Sequence, residues 1–195
     1  MEREVELDLV ERLRAGDATA FDVVFDAYHA ALFGFLHRLA RRRDVAEDLL
    51  EETWLRLVAR ARSLRPDTRL AAWLFTVARN LYWSYCRAHL PRAARTVELL
   101  DFWPVADERP SPFDNAAANE LHGRLERALA ALPPRHLEVL LMVAVEGLAG
   151  PEAAAALAVT PEAFRQRLAR ARAALAAELD ATHPAASRIL SGAPT

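Results

Sequence analysis

The sequence predicts an all-α protein: two small helical domains joined by an extended acidic linker. Apolar residues recur at three- and four-residue spacing almost throughout, and no run of four or more alternates as a half-buried strand does. That period fails between about 91 and 116, where Pro91, Pro104, Pro110 and Pro112 fall and residues 96–120 sum to −5; this is linker composition. A length of 195 residues suits one domain or two small ones. The expected boundaries are therefore 1–90 and 118–180, with a linker over 91–117 and a flexible tail over 181–195.

The elements follow in order. Phe21, Val24, Phe25, Tyr28, Leu32, Leu36 and Leu39 trace one helical stripe, with Asp17 placed as its N-cap. Ala46, Leu49, Leu50, Trp54, Leu57 and Ala61 trace a second, with Asp44 as N-cap, and Pro66 separates it from a third through Leu70, Trp73, Leu74, Val77, Leu81 and Tyr85. Within the linker, Leu99, Leu100, Phe102 and Trp103 are apolar enough to dock on something. The period resumes at Leu121, Leu125, Ala128, Leu129 and Leu132, stops at Pro133-Pro134, and continues through Leu137, Leu140, Leu141 and Val145 to about Gly147. Gly150-Pro151-Glu152 and Thr160-Pro161-Glu162 are two helix starts, the latter with Thr160 as N-cap. A short helix, a turn and a longer helix make a helix-turn-helix pattern.

Composition narrows the function classes. At 53% hydrophobic residues and only 6 glycines the chain is neither disordered nor collagen-like. No stretch approaches the roughly 20 uninterrupted apolar residues of a membrane span, and the acidic start Met1-Glu-Arg-Glu-Val-Glu is unlike a secretory signal. A lone Cys86 excludes an internal disulfide framework and points to a reducing compartment. The expectation is a soluble, cytoplasmic protein without membrane insertion. All 25 basic residues are arginine, which with abundant alanine reflects GC-rich coding, so the distribution of charge is more informative than the arginine count. Residues 44–52 carry five acids and no base, whereas 53–95 hold nine Arg against one Asp. A net charge of −2 does not exclude a nucleic-acid partner when one stretch is this basic.

Three helix faces carry candidate function. On the second helix, Asp44, Glu47, Asp48, Glu51 and Glu52 share an arc opposite the apolar stripe; this is either a solvated face favoured by the helix dipole or a docking surface for a basic partner. On the third, Thr76, Arg79, Asn80, Trp83 and Arg87 lie opposite the stripe. An exposed aromatic between guanidinium groups can stack on an unpaired base, and Asn80 can bond a base edge; equally, Trp83 can pack on a neighbour while the arginines are solvated. On the last helix, Phe164, Leu168, Ala171 and Leu175 face inward, leaving Arg165, Gln166, Arg167, Arg170 and Arg172 for the major groove.

Signals for chemistry are poor. His29, His37, His89, His122, His136 and His183 form no HExxH pattern, Cys86 and His89 lack further ligands nearby, and no GxGxxG, P-loop or GxSxG occurs. Ser84 and Cys86 have no placed base. No catalytic residue, metal or cofactor is expected.

The order of features resembles a bacterial extracytoplasmic-function sigma factor of the sigma-70 family, over roughly 9–90 and 118–178. Asp44-Val-Ala-Glu-Asp-Leu-Leu-Glu-Glu-Thr-Trp-Leu-Arg is similar to the polymerase-binding segment of region 2. Ala72-Trp-Leu-Phe-Thr-Val-Ala-Arg-Asn-Leu-Tyr-Trp-Ser-Tyr-Cys-Arg87 is similar to the segment that opens and reads the minus-ten element. Leu132-Pro-Pro-Arg-His-Leu-Glu-Val-Leu, Glu146-Gly-Leu and Arg165-Gln-Arg-Leu-Ala-Arg-Ala-Arg172 are similar to region 4, which reads the minus-thirty-five element. The resemblance implies core RNA polymerase, promoter DNA and an anti-sigma factor as partners. It implies polymerase binding by Asp44, Glu47, Asp48, Glu51 and Trp54, minus-ten contacts by Thr76, Arg79, Asn80, Trp83 and Arg87, and minus-thirty-five contacts by Thr160, Arg165, Gln166, Arg167, Arg170 and Arg172. The alternatives are a helix-turn-helix regulator acting without polymerase, or a degenerate sigma-like signalling module. The chain departs from the family pattern at Glu51 (usually Gln), Ser84 (usually Asp), Ala153 (usually Ile) and Ala158 (usually Gly). Alanine in a left-handed turn costs about 1 kcal/mol relative to glycine, and Ala153 buries less apolar surface than Ile by roughly 1–2 kcal/mol of transfer free energy.

Overall fold

The structure, a computed structural model, describes residues 2–89, 116–144 and 150–181. The described residues form eight α-helices and one short 3-10 turn, with no strand among them. The expected linker, with Leu99, Leu100, Phe102 and Trp103, the Val145–Leu148 stretch and the tail beyond 181 lie outside the described residues, as does the side chain of Leu121.

The N-terminal half opens with a helix that no stripe anticipated, α1 (Arg3–Ala15), which buries Leu9, Val10 and Leu13 and stops at Gly16 in the left-handed conformation, φ 84°. Helix α2 (Ala18–Ala40) begins as expected: the Asp17 carboxylate accepts from the Thr19 N–H at 2.8 Å. Its Val24, Tyr28, Leu32, Phe35, Leu36 and Leu39 are buried, while Phe21 and Phe25 are half-buried. This helix is long and apolar enough to cross a bilayer. Asp22 and Asp26 interrupt it, however, and its inward face packs on α1, on α3 (Arg43–Arg60) and on α4 (Leu70–His89). Asp44 is not the N-cap of α3. The residue preceding that helix is Arg42, and Asp44 sits in the first turn, its carboxylate taken by the Arg42 guanidinium. A carboxylate there still complements the helix dipole, so the acid is well placed two residues past the cap rather than at it.

Between α3 and α4 lie the 3-10 turn Ala61–Ser63 and Pro66. Glu6 of α1, 5% exposed, fixes the start of α4: it accepts from the Leu70 N–H at 2.7 Å, one of the donors a helix start leaves without an internal partner. Arg3 holds Glu6 at 2.6 Å and the Asp67 carbonyl at 2.9 Å, so α1 clips the loop against the helix it caps.

In the C-terminal half, α5 (Ala116–Ala131), α6 (Pro134–Ala144) and α7 (Gly150–Ala156) all pack on α8 (Pro161–Ala181). Pro133-Pro134 breaks α5 from α6 as expected. Thr160 caps α8, its hydroxyl accepting from the Ala163 N–H at 3.2 Å. Phe164 and Ala171 of α8, Leu137 and Met142 of α6 and Ala153 of α7 are buried together in the core cluster or beside it. In the turn before α8, Ala158 adopts φ 52°, the left-handed position foreseen for it. The two halves touch each other, α4 against α7 and α2 against α6.

Candidate functional site

The acidic face of α3 is exposed at Asp44, Glu47, Asp48 and Glu51. It is not a bare row of negative charge: Arg43 bonds Glu47 at 2.8 Å and Arg56 bonds Glu52 at 2.9 Å, exposed i, i+4 pairs that relieve repulsion but hold little energy. Trp54 is 7% exposed and does not project outward. Its ring meets Phe25 at 5.0 Å, Phe21 at 5.8 Å and His29 at 6.3 Å, making the floor of a groove between α2 and α3 of about 520 Å³. The Trp54 indole N–H and His29 Nδ1 are buried there without hydrogen-bond partners. Glu47 and Glu51 stand on the rim beside Leu55 and Val58, which are 56% and 61% exposed. Sequence reasoning missed these two: they fall off the apolar stripe, next to the acids. Apolar side chains on that arc were the available signal for a protein-binding face rather than a merely solvated one.

On α4, Asn80 and Arg87 are exposed and Thr76 is half-buried. The Asn80 amide oxygen accepts from Arg79 at 3.1 Å, Arg87 donates to the Ser84 hydroxyl at 2.9 Å, and the Thr76 hydroxyl donates to the Ala72 carbonyl at 2.6 Å. Trp83 departs from the expectation of an exposed aromatic: it is 7% exposed. Its indole N–H donates to Glu138 of α6 at 2.7 Å, Arg79 donates to the same carboxylate oxygen at 3.0 Å, and the Arg135 guanidinium lies 5.2 Å over the Trp83 ring. The centre of the face opposite the local core stripe, at Arg79 and Trp83, is thus covered by the other half of the chain, while Asn80 and Arg87 stay exposed. Packing on a neighbour, the alternative for Trp83, holds in this conformation. Glu138 and Arg135 could not be singled out from spacing, because nothing local marks their partners across 52 residues or more of sequence.

On α8, Arg165, Gln166, Arg170 and Arg172 are exposed, as is Thr160 at the cap, and Arg167 is half-buried. Arg165 pairs with Glu162 at 3.1 Å, leaving the rest of the basic face open. These residues lie on or at the start of one helix, around the wide arc that its buried Phe164 and Ala171 leave.

Among the described residues no group of three His, Cys, Asp or Glu side chains could hold a metal ion. Burial pushes the Cys86 thiol above its ordinary pKa, outweighing its bond with Tyr82, whereas a nucleophilic cysteine needs the opposite shift.

Residues 24–90 match the family described as Sigma-70 region 2, and residues 122–175 match Sigma-70, region 4. The chain is similar to the RNA polymerase sigma factor CarQ of Myxococcus xanthus, 31% identical over 165 residues, covering 83% of this chain and 90% of CarQ. It is likewise similar to the ECF RNA polymerase sigma factor SigM of Mycobacterium tuberculosis, 32% identical over 164 residues, covering 83% of this chain and 78% of SigM. Among solved structures, the sigma factor RpoE in complex with the anti-sigma factor NepR from Bartonella quintana has a TM-score of 0.65 at 25% identity, covering 82% of this chain and 96% of RpoE. Helices α3 and α4 fall inside the first matched region and the arginine-rich helix α8 begins in the second, and on these grounds the chain belongs to the extracytoplasmic-function sigma factors of RNA polymerase, which direct transcription initiation.

Proposed function

We propose that residues 1–90 bind core RNA polymerase and the minus-ten element, that 118–180 bind the minus-thirty-five element, and that 91–117 link the two ahead of a tail over 181–195. The observation that carries this reading is the pairing, within one chain, of an exposed acidic face on α3 with an exposed arginine face on a Thr160-capped helix, α8. Asp44, Glu47, Asp48 and Glu51 meet a basic surface of the polymerase, and Trp54 supports them from the groove floor, with Leu55 and Val58 adding apolar contact. Asn80 captures an unstacked base of the minus-ten strand, its amide supplying both donor and acceptor. Thr76, Arg79, Trp83 and Arg87 hold the strand around it. Arg165, Gln166, Arg167, Arg170 and Arg172 enter the major groove of the minus-thirty-five duplex, with Thr160 at the helix start. The protein works in the cytoplasm as a specificity subunit, without enzymatic activity of its own. The related RpoE was solved with an anti-sigma factor, and we infer that a partner of this class restrains this chain too.

Run-off transcription with core polymerase, on templates carrying randomised minus-ten and minus-thirty-five elements, tests the reading. Transcripts from a recurring promoter pair are expected. Asn80→Ala should keep polymerase binding and lose preference at one minus-ten position, by about 1–3 kcal/mol of discrimination. A chain that binds duplex DNA but never co-elutes with core polymerase would instead be a helix-turn-helix regulator.

A further inference from the structure

Helix α3 and the 3-10 turn that continues it expose one graded stripe. Asp48, Glu51, Leu55, Val58 and Arg62 follow one another at spacings of three and four residues, and all five are exposed, so they share a face. Acids stand at its start, two apolar side chains at its middle and an arginine at its end. Among the described residues no large apolar side chain is more exposed than Leu55 and Val58, at 56% and 61%. Beside the stripe, Arg43 engages Glu47 and Arg56 engages Glu52. Asp48, Glu51 and Arg62 take part in no ion pair among the described residues. The chain itself leaves these charges and these apolar groups unused.

A stripe graded in this way is complementary to itself reversed. We propose that it pairs with a second copy of this chain, seated antiparallel so that a twofold axis passes between Leu55 and Val58. Leu55 of each copy then meets the partner's Val58. Glu51, four residues before Leu55, meets the partner's Arg62, four residues after Val58. Symmetry makes each contact twice. Parallel seating would set Glu51 on Glu51 and Arg62 on Arg62, which like charge disfavours. Arg56, next to the axis, is already compensated by Glu52 at 2.9 Å and so adds no repulsion. The groove floored by Trp54 opens beside Leu55 and Val58, and its Phe21 and Phe25 give the partner's apolar side chains a surface to settle on. One helix pair buries less than the roughly 1,200–2,000 Å² of a stable interface, so the dimer is weak and forms at micromolar concentration. Asp48 and Glu51 also belong to the surface assigned above to core polymerase, so dimer and polymerase complex exclude each other. That consequence rests on the polymerase reading; the dimer does not.

The test is sedimentation velocity of the full chain from about 1 to about 200 μM, which brackets the affinity of small transient interfaces. Wild type should pass from monomer to dimer across that range. Glu51→Arg and Arg62→Glu, both at exposed positions and checked for fold by circular dichroism, should each raise the dissociation constant about tenfold, because two symmetry-related ion pairs become like-charge contacts. Mixed in equal amounts, the two variants should regain wild-type affinity, since each copy supplies the charge that the other lacks. Glu11→Arg, at an exposed position of α1, controls for added positive charge and should dimerise as wild type does. A wild type that stays monomeric throughout, or single variants that dimerise as well as it does, would overturn the proposal. So would a mixture no better than its parts. Core polymerase added to the wild-type dimer should dissociate it, and a dimer that persists on the bound polymerase would overturn the exclusion. Failure of the polymerase reading shows separately, as wild-type and monomeric Arg62→Glu chains that never co-elute with core polymerase.

Discussion

Ala158 holds φ 52° in the turn between α7 and α8, where an alanine Cβ crowds the backbone and glycine does not. Ala158→Gly should stabilise the C-terminal domain by up to about 1 kcal/mol, raising its thermal midpoint by several degrees; an unchanged or lower midpoint would show that the loss of chain entropy on folding cancels the relief. Asp17 carries a pH signature. Its bonds from the Thr19 hydroxyl, the Arg12 guanidinium and the Thr19 N–H hold its carboxyl at about 2, below an ordinary value of 3.8. The folded value is depressed, so the stabilisation is present above the unfolded value and fades as pH falls from about 3.8 through about 2. Asn caps helices nearly as well as Asp but carries no charge for Arg12. Asp17→Asn should therefore melt below wild type at pH 6, with the gap narrowing below pH 4, as scanning calorimetry across that range would record. A gap independent of pH would mean that the charge on Asp17 does not contribute.

The helices that carry a long apolar stripe were readable as elements, because a three- to four-residue period survives whatever the helix packs against, although Leu125, expected on the stripe of α5, is 37% exposed. Helix α1 was not, since it offers only Leu9, Val10 and Leu13 inward among acids and arginines, and its main task is polar. Glu6 supplies α4 with a cap from 64 residues away, a relation that no local pattern can display. Glu6→Ala strips a buried acceptor from the Leu70 N–H, which should cost about 1–3 kcal/mol and fray the first turn of α4. Hydrogen exchange at the start of α4 should quicken more than exchange in α8, and equal quickening throughout would argue against a local cap. Of the three candidate faces, those on α3 and α8 were legible, because an exposed surface obeys the helix wheel alone. The acids of α3 can be tested directly: Asp48→Arg, off the apolar stripe and exposed, should leave the circular dichroism spectrum intact and reduce co-elution with core polymerase, and undiminished co-elution would remove the acidic face from the docking surface.

The face of α4 was legible in composition but not in exposure, and the reason lies at the scale of the whole molecule. Trp83 sits off the stripe that packs inside its own domain, so the helix wheel assigns it to solvent; the wheel contains no second domain. What covers Trp83 is an interface whose rim is ionic and whose centre is a half-satisfied carboxylate, a combination that makes the association of the two halves sensitive to salt. Raising sodium chloride from 0.1 to 1 M shortens the screening length from about 10 to about 3 Å. Arg38–Glu126 and Arg69–Glu152, with side chains between 26% and 43% exposed, are reached by that screening. Arg79–Glu138 is not. Exposed pairs are worth only about 0.2–1 kcal/mol each, so screening two of them weakens the association of the halves by about 0.4–2 kcal/mol. The wild-type chain should therefore show a larger radius of gyration at 1 M than at 0.1 M with an unaltered helical spectrum, while Glu126→Arg, which lacks one of the two screened pairs, should respond less. A wild-type radius that does not respond to salt would show that apolar contact between α4 and α7 and between α2 and α6 holds the halves together, and that the ionic rim only sets their register.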